Sequence, residues 1–240
     1  VGNIRDFTSI RFLRMYMTSF RKPITLRFAT MQLIRGDWRP YQQPIASKNN
    51  TAPTISGDFT MSAINVEEHG DRKPVNYVLP PGISRIIDPS QPQLRQDNEQ
   101  ALALQVTNLG SEESRAVYKK SNLDIRQYER IQLYVHAEAP EIDVTQLGHN
   151  DLSVFVRLGS DYKSNYYEYE VPLYITPHGS YDTNSQSAAA IVWPKENMID
   201  IPLTKLTNIK VKRNTLRNSQ SGGVNNTTIY SEYDEDNPKN

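Results

Sequence analysis

The stretch LSVFVRLGSDYKSNYYEYEVPLYI (residues 152–175) holds two runs in which apolar side chains recur at every second position. Leu152, Val154, Val156 and Leu158 share one face of the first run; Tyr167, Tyr169, Val171, Leu173 and Ile175 share one face of the second. In an extended chain successive side chains point to opposite sides, so a period of two predicts strands with one buried face. The same beat recurs elsewhere. Ile131, Leu133, Val135 and Ala137 alternate with Gln132, Tyr134, His136 and Glu138, and Leu102, Leu104 and Val106 form a shorter version. Ile24, Leu26 and Phe28 alternate until the phase slips at Ala29–Thr30, which predicts a bulge before Met31 and Leu33 resume. One-sided strands of this kind belong to antiparallel sheets packed face to face.

The separators carry turn and loop chemistry. Pro40, Pro44, Pro53 and Gly57 break residues 39–58, and the organisation expected has 46–58 as a linker between strands of residues 1–45 and a β-sandwich module at 59–217. Residues 1–45 are then either the closing strands of a preceding module or extra strands of the same one. Pro74, Pro80, Pro81, Pro89 and Pro92 exclude residues 67–98 from a central strand and predict a long surface excursion that ends in a short polar, potentially helical stretch, Gln93–Glu99. Ser180–Ser187 is expected to be a polar loop. Thr204–Lys212 and Ser111–Lys120 carry the few helical signals, and residues 218–240 form a polar tail expected to be mobile. Ile4–Phe12 also echoes Ile125–Leu133, as two related modules would.

Composition excludes several chemistries. The 240 residues include no Cys, which removes thiol nucleophiles, Cys-ligated zinc and thiol redox work. Only 37% of residues are hydrophobic, and no run approaches the ~18–20 apolar residues of a membrane helix. Val1 leads directly into strand-like sequence without the pattern of a signal peptide. The net charge is zero, but residues 1–50 hold nine basic residues against Asp6 and Asp37. No nucleic-acid-binding motif accompanies that excess, so solvent-facing strand arginines, or a basic edge docked on an acidic remainder, are expected and a nucleic-acid partner is not.

His69, His136, His149 and His178 are scattered, and none pairs at metal-ligand spacing; His136 is expected at an exposed rim. No G-x-S-x-G, dinucleotide fingerprint or phosphate loop occurs, so no enzymatic activity and no cofactor are expected. Glu168 and Glu170 lie two apart on one strand face, a spacing seen in paired glycosidase carboxylates and far more often on ordinary exposed strands. Asp151 and Asp161 are loop acids of the kind that hold Ca²⁺, although no D-x-D-type cluster surrounds them. Tyrosines are denser than either. Tyr162, Tyr166, Tyr167, Tyr169 and Tyr174 crowd one segment, and alternation turns Tyr167 and Tyr169 inward. Tyr166 and Tyr174 turn outward with Glu168 and Glu170, which with Tyr162 makes these five the candidate partner or ligand surface.

Taken in order, IRFLRMYMTSF (10–20), LRFATMQLIRGDWRPY (26–41), PVNYVLPPGI (74–83), NEQALALQV (98–106), DIRQYERIQLYVHAEA (124–139), VFVRLGSDYKSNYYEYEVPL (154–173) and WPKENMIDI (193–201) resemble an interior portion of the SprA/Sov family. RLGSDYKSNYYEYE is the most specific single run. Members of that family are the very large outer-membrane translocons of the type IX secretion system, linked to gliding motility. The resemblance implies an internal fragment of a giant β-barrel polypeptide engaged in protein transport, not catalysis. It implies other segments of that polypeptide, accessory outer-membrane and periplasmic proteins and secreted cargo as partners.

Barrel strands also alternate, at about 9–11 residues per crossing. Here the candidate strands are separated by long loops and carry charges on their polar faces. The expected architecture is therefore a water-soluble, jelly-roll-like antiparallel β-sandwich of the galactose-binding type, with little helix and no direct lipid contact. It would belong to an extracellular cap or partner-docking region, with a periplasmic position second. The alternative from a different class is a jelly-roll carbohydrate- or calcium-binding module using Tyr166 and Tyr174.

Overall fold

Antiparallel pairs of strands carry the chain, as seen in a computed structural model that describes residues 18–19, 21–22, 25, 38–47, 49, 52–85, 99–121, 124–140, 147–219 and 223–237. The chain divides into two compact units, residues 1–36 and 37–240, and the elements below belong to the second. The expected bulge at Ala29–Thr30, the Ile4–Phe12 half of the echo and residues 93–98 lie outside the described residues.

In chain order the strands are β1 (Arg39–Pro40), β2 (Asp58–Asn65), β3 (Gln100–Thr107), β4 (Val117–Tyr118), β5 (Arg130–Leu133), β6 (Ser153–Gly159), β7 (Tyr166–Pro172) and β8 (Ile199–Pro202). The helices are α1 (Val66–His69), α2 (Gln186–Val192) and α3 (Leu203–Asn218). Among the described residues the strands pair two by two and always antiparallel: β1 with β4, β2 with β3, β5 with β8, β6 with β7. The fold is thus mainly strand with little helix.

The β6–β7 hairpin keeps the alternation promised by its sequence. Val154, Val156, Leu158, Tyr167 and Tyr169 lie on the face that meets Ile131 of β5, Ile199 and Ile201 of β8, and Leu206 of α3, with Val171 at the centre. Ile199 is completely buried and Val171 nearly so. Gly159 closes the hairpin because a Cβ there would sit 2.2 Å from the Asn165 carbonyl oxygen.

A second core gathers Val75, Tyr77, Val78, Ala189, Val192 and Trp193. This corrects the expected surface excursion: Val75 and Val78 are each 1% exposed. Pro74 and Pro80 do keep the segment out of a ladder, and only Val75 forms an isolated bridge, to Gly179. Its backbone groups are satisfied singly instead. The Trp193 indole donates to the Val78 carbonyl (2.7 Å), an Arg72 N–H to the Val75 carbonyl (3.0 Å), and Tyr77 N–H to the His69 carbonyl (2.9 Å). An extended, proline-bounded segment can cross a core when side chains supply its partners.

Two buried asparagines do similar work. Asn197 accepts from Tyr174 N–H (2.7 Å) and donates to the Tyr174 carbonyl (2.9 Å); Asn76 treats Tyr181 the same way, at 2.7 and 2.8 Å. Each amide thereby replaces one residue of a missing strand, so burial of these polar groups costs little.

The helices depart from expectation. α2 occupies the end of the presumed polar loop, capped by Ser185, whose hydroxyl accepts from Ala188 N–H, and it buries Ala188, Ala189 and Val192. α3 runs for 16 residues, well past Lys212. Ser111–Lys120 is not helical; it ends in β4. Leu133, the last residue of the β5 ladder, is exposed; beyond it the chain leaves the ladder and a period of two no longer assigns faces, so His136 is turned in against Trp193 with its side chain only 15% exposed.

Ile199→Ala should cost about 2–5 kcal/mol, because it removes a fully buried branched side chain where two ladders meet. Val211→Ala, on an exposed part of α3, should stay within about 0.5 kcal/mol. Urea titrations of the two variants against the parent chain measure both.

Candidate functional site

Arg157 organises the segment that held the candidate residues. It stands on β6 opposite Glu168 of β7, and its side chain is 9% exposed. Nε donates to Glu168 Oε2 at 2.7 Å, and Nη2 approaches the same oxygen at 2.6 Å. Nη1 donates to the Tyr162 carbonyl (2.6 Å) and Nη2 to the Ala46 carbonyl (3.1 Å). The guanidinium carbon lies 3.8 Å from the centre of the Tyr166 ring. A planar fork with fixed donors suits this mixture of carboxylate, carbonyls and ring face, and a lysine ammonium could not reproduce it.

Each candidate residue has a defined place around this centre. One face of Tyr166 is covered by Arg157. Burial raises the Glu168 carboxyl above the ordinary carboxylate range, and Arg157 offsets this only in part. Glu170 is exposed and accepts a hydrogen bond from the Ser153 hydroxyl across the hairpin. Tyr162 joins Tyr41 and Tyr118 in a three-ring cluster, with centroids 5.0 and 5.1 Å from its own. Tyr174 lies apart, stacked on His149 at 4.8 Å, and His149 Nδ1 accepts from Ile175 N–H (3.0 Å). The structure therefore brings Tyr162, Tyr166 and Glu168 together and leaves Tyr174 elsewhere.

The loop joining β6 to β7 is built on Asp161. Its carboxylate accepts from the backbone N–H groups of Ser164 (2.6 Å), Lys163 (2.8 Å) and Asn165 (3.1 Å) and from the Asn165 side chain (2.6 Å). Those bonds hold its carboxyl well below the usual range. Asp151, the other loop acid, accepts from Gly148 N–H at 2.6 Å. Both acids are thus engaged in shaping their own turns. Among the described residues no three His, Asp or Glu side chains converge as a metal would require.

Sequence reasoning missed a second polar cluster, at the edge of the Val75–Trp193 core. Arg72 pairs with Glu138, and Glu138 Oε2 lies 3.3 Å from His136 Nε2. His136 Nδ1 lies 2.7 Å from the Val192 carbonyl at the end of α2. Burial raises the Glu138 carboxyl, but the bonds from His136 and Arg72 outweigh it and leave it below the ordinary glutamate range. Arg72 and Glu138 are 66 positions apart, so no local pattern could have paired them.

The family described as motility related/secretion protein, SprA_N, matches residues 1–240, and the chain belongs to it. No curated protein matches the chain. A protein of secretion or motility machinery fits the cell envelope. Among the described residues no helix is long and apolar enough to cross a membrane, which says nothing of a β-barrel.

The Glu138 cluster has a predictable pH signature. Its carboxyl is lowered by folding, so its contribution is complete above the unfolded value of about 4.3 and is lost as the pH falls through the folded value. Glu138→Gln should destabilise the chain by about 1–3 kcal/mol near neutral pH. The gap between the parent and the variant should close as the pH is taken below about 4. Urea midpoints of both proteins across that range check the sign.

Proposed function

We propose that this chain is a non-catalytic module of a giant outer-membrane translocon of the type IX secretion and gliding machinery, placed in an extracellular cap or partner-docking region. The observation that carries the reading is membership of a motility- and secretion-related family over all 240 residues. The hairpin chemistry supports it. Arg157, Tyr162, Tyr166 and Glu168 are engaged with one another and with the Ala46 carbonyl, as suits a scaffold that must hold shape under load.

We further infer that the paired strands are pieces of a jelly-roll-like sandwich of the galactose-binding type. The support is local: the inner face of β6–β7 packs on β5–β8, ladder against ladder, as in sheets stacked face to face. Such a module would contact other segments of its own polypeptide, accessory envelope proteins and passing cargo. A carbohydrate- or calcium-binding role draws less support, since Arg157 covers Tyr166, His149 covers one face of Tyr174, and Asp161 is committed to its own loop.

Because the chain has no cysteine, a thiol placed in it can be followed cleanly in a parent polypeptide cleared of other reactive thiols. Lys163→Cys and Gln186→Cys substitute two exposed positions, one in the β6–β7 loop and one at the start of α2. Intact cells treated with a membrane-impermeant maleimide should label both. Labelling only after the outer membrane is disrupted would overturn the extracellular placement and put the module in the periplasm.

A further inference from the structure

α3 is an unusual helix for a protein of zero net charge. It carries Lys205, Lys210, Lys212, Arg213 and Arg217 and no acidic residue. Lys210 and Arg213 are spaced i,i+3, and Arg213 and Arg217 i,i+4, so like charges face each other along the surface. Only Leu206, in its first turns, is buried; Val211 is 63% exposed. The core engages the helix through Leu203, Leu206 and Lys210, whose ammonium lies 5.5 Å from the centre of the Tyr167 ring, but the helix has no acids of its own to offset the repulsion along the rest of its length.

The compensation comes from residues 225–236, which run antiparallel to the helix. Arg217 reaches Asn226 Oδ1 (3.4 Å), and Arg213 donates to the carbonyls of Asn225 (3.0 Å), Asn226 (3.3 Å) and Thr228 (3.4 Å). Lys212 pairs with Glu232 (2.7 Å); Lys205 pairs with Asp234 and, at 2.8 Å, with Asp236. Tyr169 of β7 also donates to Asp234 (3.0 Å). Tyr230 forms one wall of a groove of about 300 Å³ whose other walls are Val211, Lys212, Thr215 and Leu216.

Two features make this cover exchangeable. None of the described residues 223–237 is fully buried, and the segment adds no apolar side chain to either core cluster, touching the core only where Asp234 accepts from the Tyr169 hydroxyl. Its grip consists of ion pairs, side chain-to-carbonyl bonds, the Tyr169–Asp234 hydrogen bond and the Tyr230 wall of the groove, contacts that another acidic chain with an aromatic side chain could make equally well. We propose that the Lys205–Lys212–Arg213 face of α3, with its apolar groove, is an acceptor for an extended acidic segment of a partner protein carrying an aromatic side chain. The chain's own residues 225–236 occupy that face as a resident stand-in. The inference goes beyond placement in a secretion machine, and it would stand whichever side of the membrane the module faces.

The test uses the full chain, the chain ending at Ser219, and a full-length variant with Glu232→Lys and Asp234→Lys. The probe is a fluorescent synthetic peptide of residues 223–237, followed by anisotropy, with a control peptide whose Glu and Asp are replaced by Gln and Asn. Both released chains should bind the acidic peptide at least about tenfold more tightly than the full chain. The gain should vanish with Lys205→Glu plus Lys212→Glu, with the neutral control peptide, and at high salt. Equal binding by full and released chains, or equal binding of the neutral peptide, would overturn the proposal. Loss of the cooperative melting transition in both released chains would overturn it too, by showing the segment to be a fixed part of the fold.

Discussion

A guanidinium that is nine-tenths buried must find acceptors for its N–H groups, and Arg157 finds them in three separate parts of the chain. Glu168 comes from the partner strand, the Tyr162 carbonyl from the connecting loop and the Ala46 carbonyl from the segment that begins with β1. That segment is also held by the pairing of β1 with β4 and by the Tyr41–Tyr118–Tyr162 cluster. The polar face of the β6–β7 hairpin is therefore fixed from one centre, while its apolar face is fixed by Val171 against β8 and α3. The run RLGSDYKSNYYEYE, which makes the family resemblance most specific, is the run that builds this knot. Its residue choices answer first to one another: Gly159 to the closeness of Asn165, Asp161 to the amides of the loop, Arg157 to Glu168 and Tyr166.

The same economy governs the rest of the unit. Among the described residues the strands pair only two by two, and long stretches between them cross or border the cores without a ladder. Such stretches need partners for every buried N–H and carbonyl. Asn76 and Asn197 serve one residue each, Trp193 caps a carbonyl, and Arg72 serves both a carbonyl and Glu138. Polar side chains here act as substitutes for β-structure. A unit built this way is specified by many single contacts.

How much of this was legible follows from the range of each interaction. Alternation in β6 and β7 was visible because the period belongs to a single strand, and the inward placement of Tyr167 and Tyr169 followed directly. The pairing of Arg157 with Glu168 depends on hairpin register, which the sequence of each strand alone does not state. Tyr41, Tyr118 and Tyr162 meet only once three distant segments are assembled. Proline content keeps residues 74–80 out of a ladder but does not dictate the expected surface path, because a segment without a strand can still be buried when single partners satisfy its backbone. The α2 signal is local but lies inside a polar stretch: Ser185 ahead of three consecutive alanines is a cap followed by strong helix formers. Asn76 and Asn197 carried no local signal at all, since what they satisfy lies 105 and 23 positions away.

If the specific run of this family is a structural knot, weakening its centre must loosen segments that are far apart in sequence. Hydrogen exchange on the parent chain and on Arg157→Lys, which keeps the charge and removes the planar fork, measures this most directly. The account predicts faster exchange both in the loop and strand ends around residues 160–168 and in residues 41–47, with the second core around Val75 and Trp193 unaffected. Loosening confined to the β6–β7 hairpin, with residues 41–47 unchanged, would contradict it.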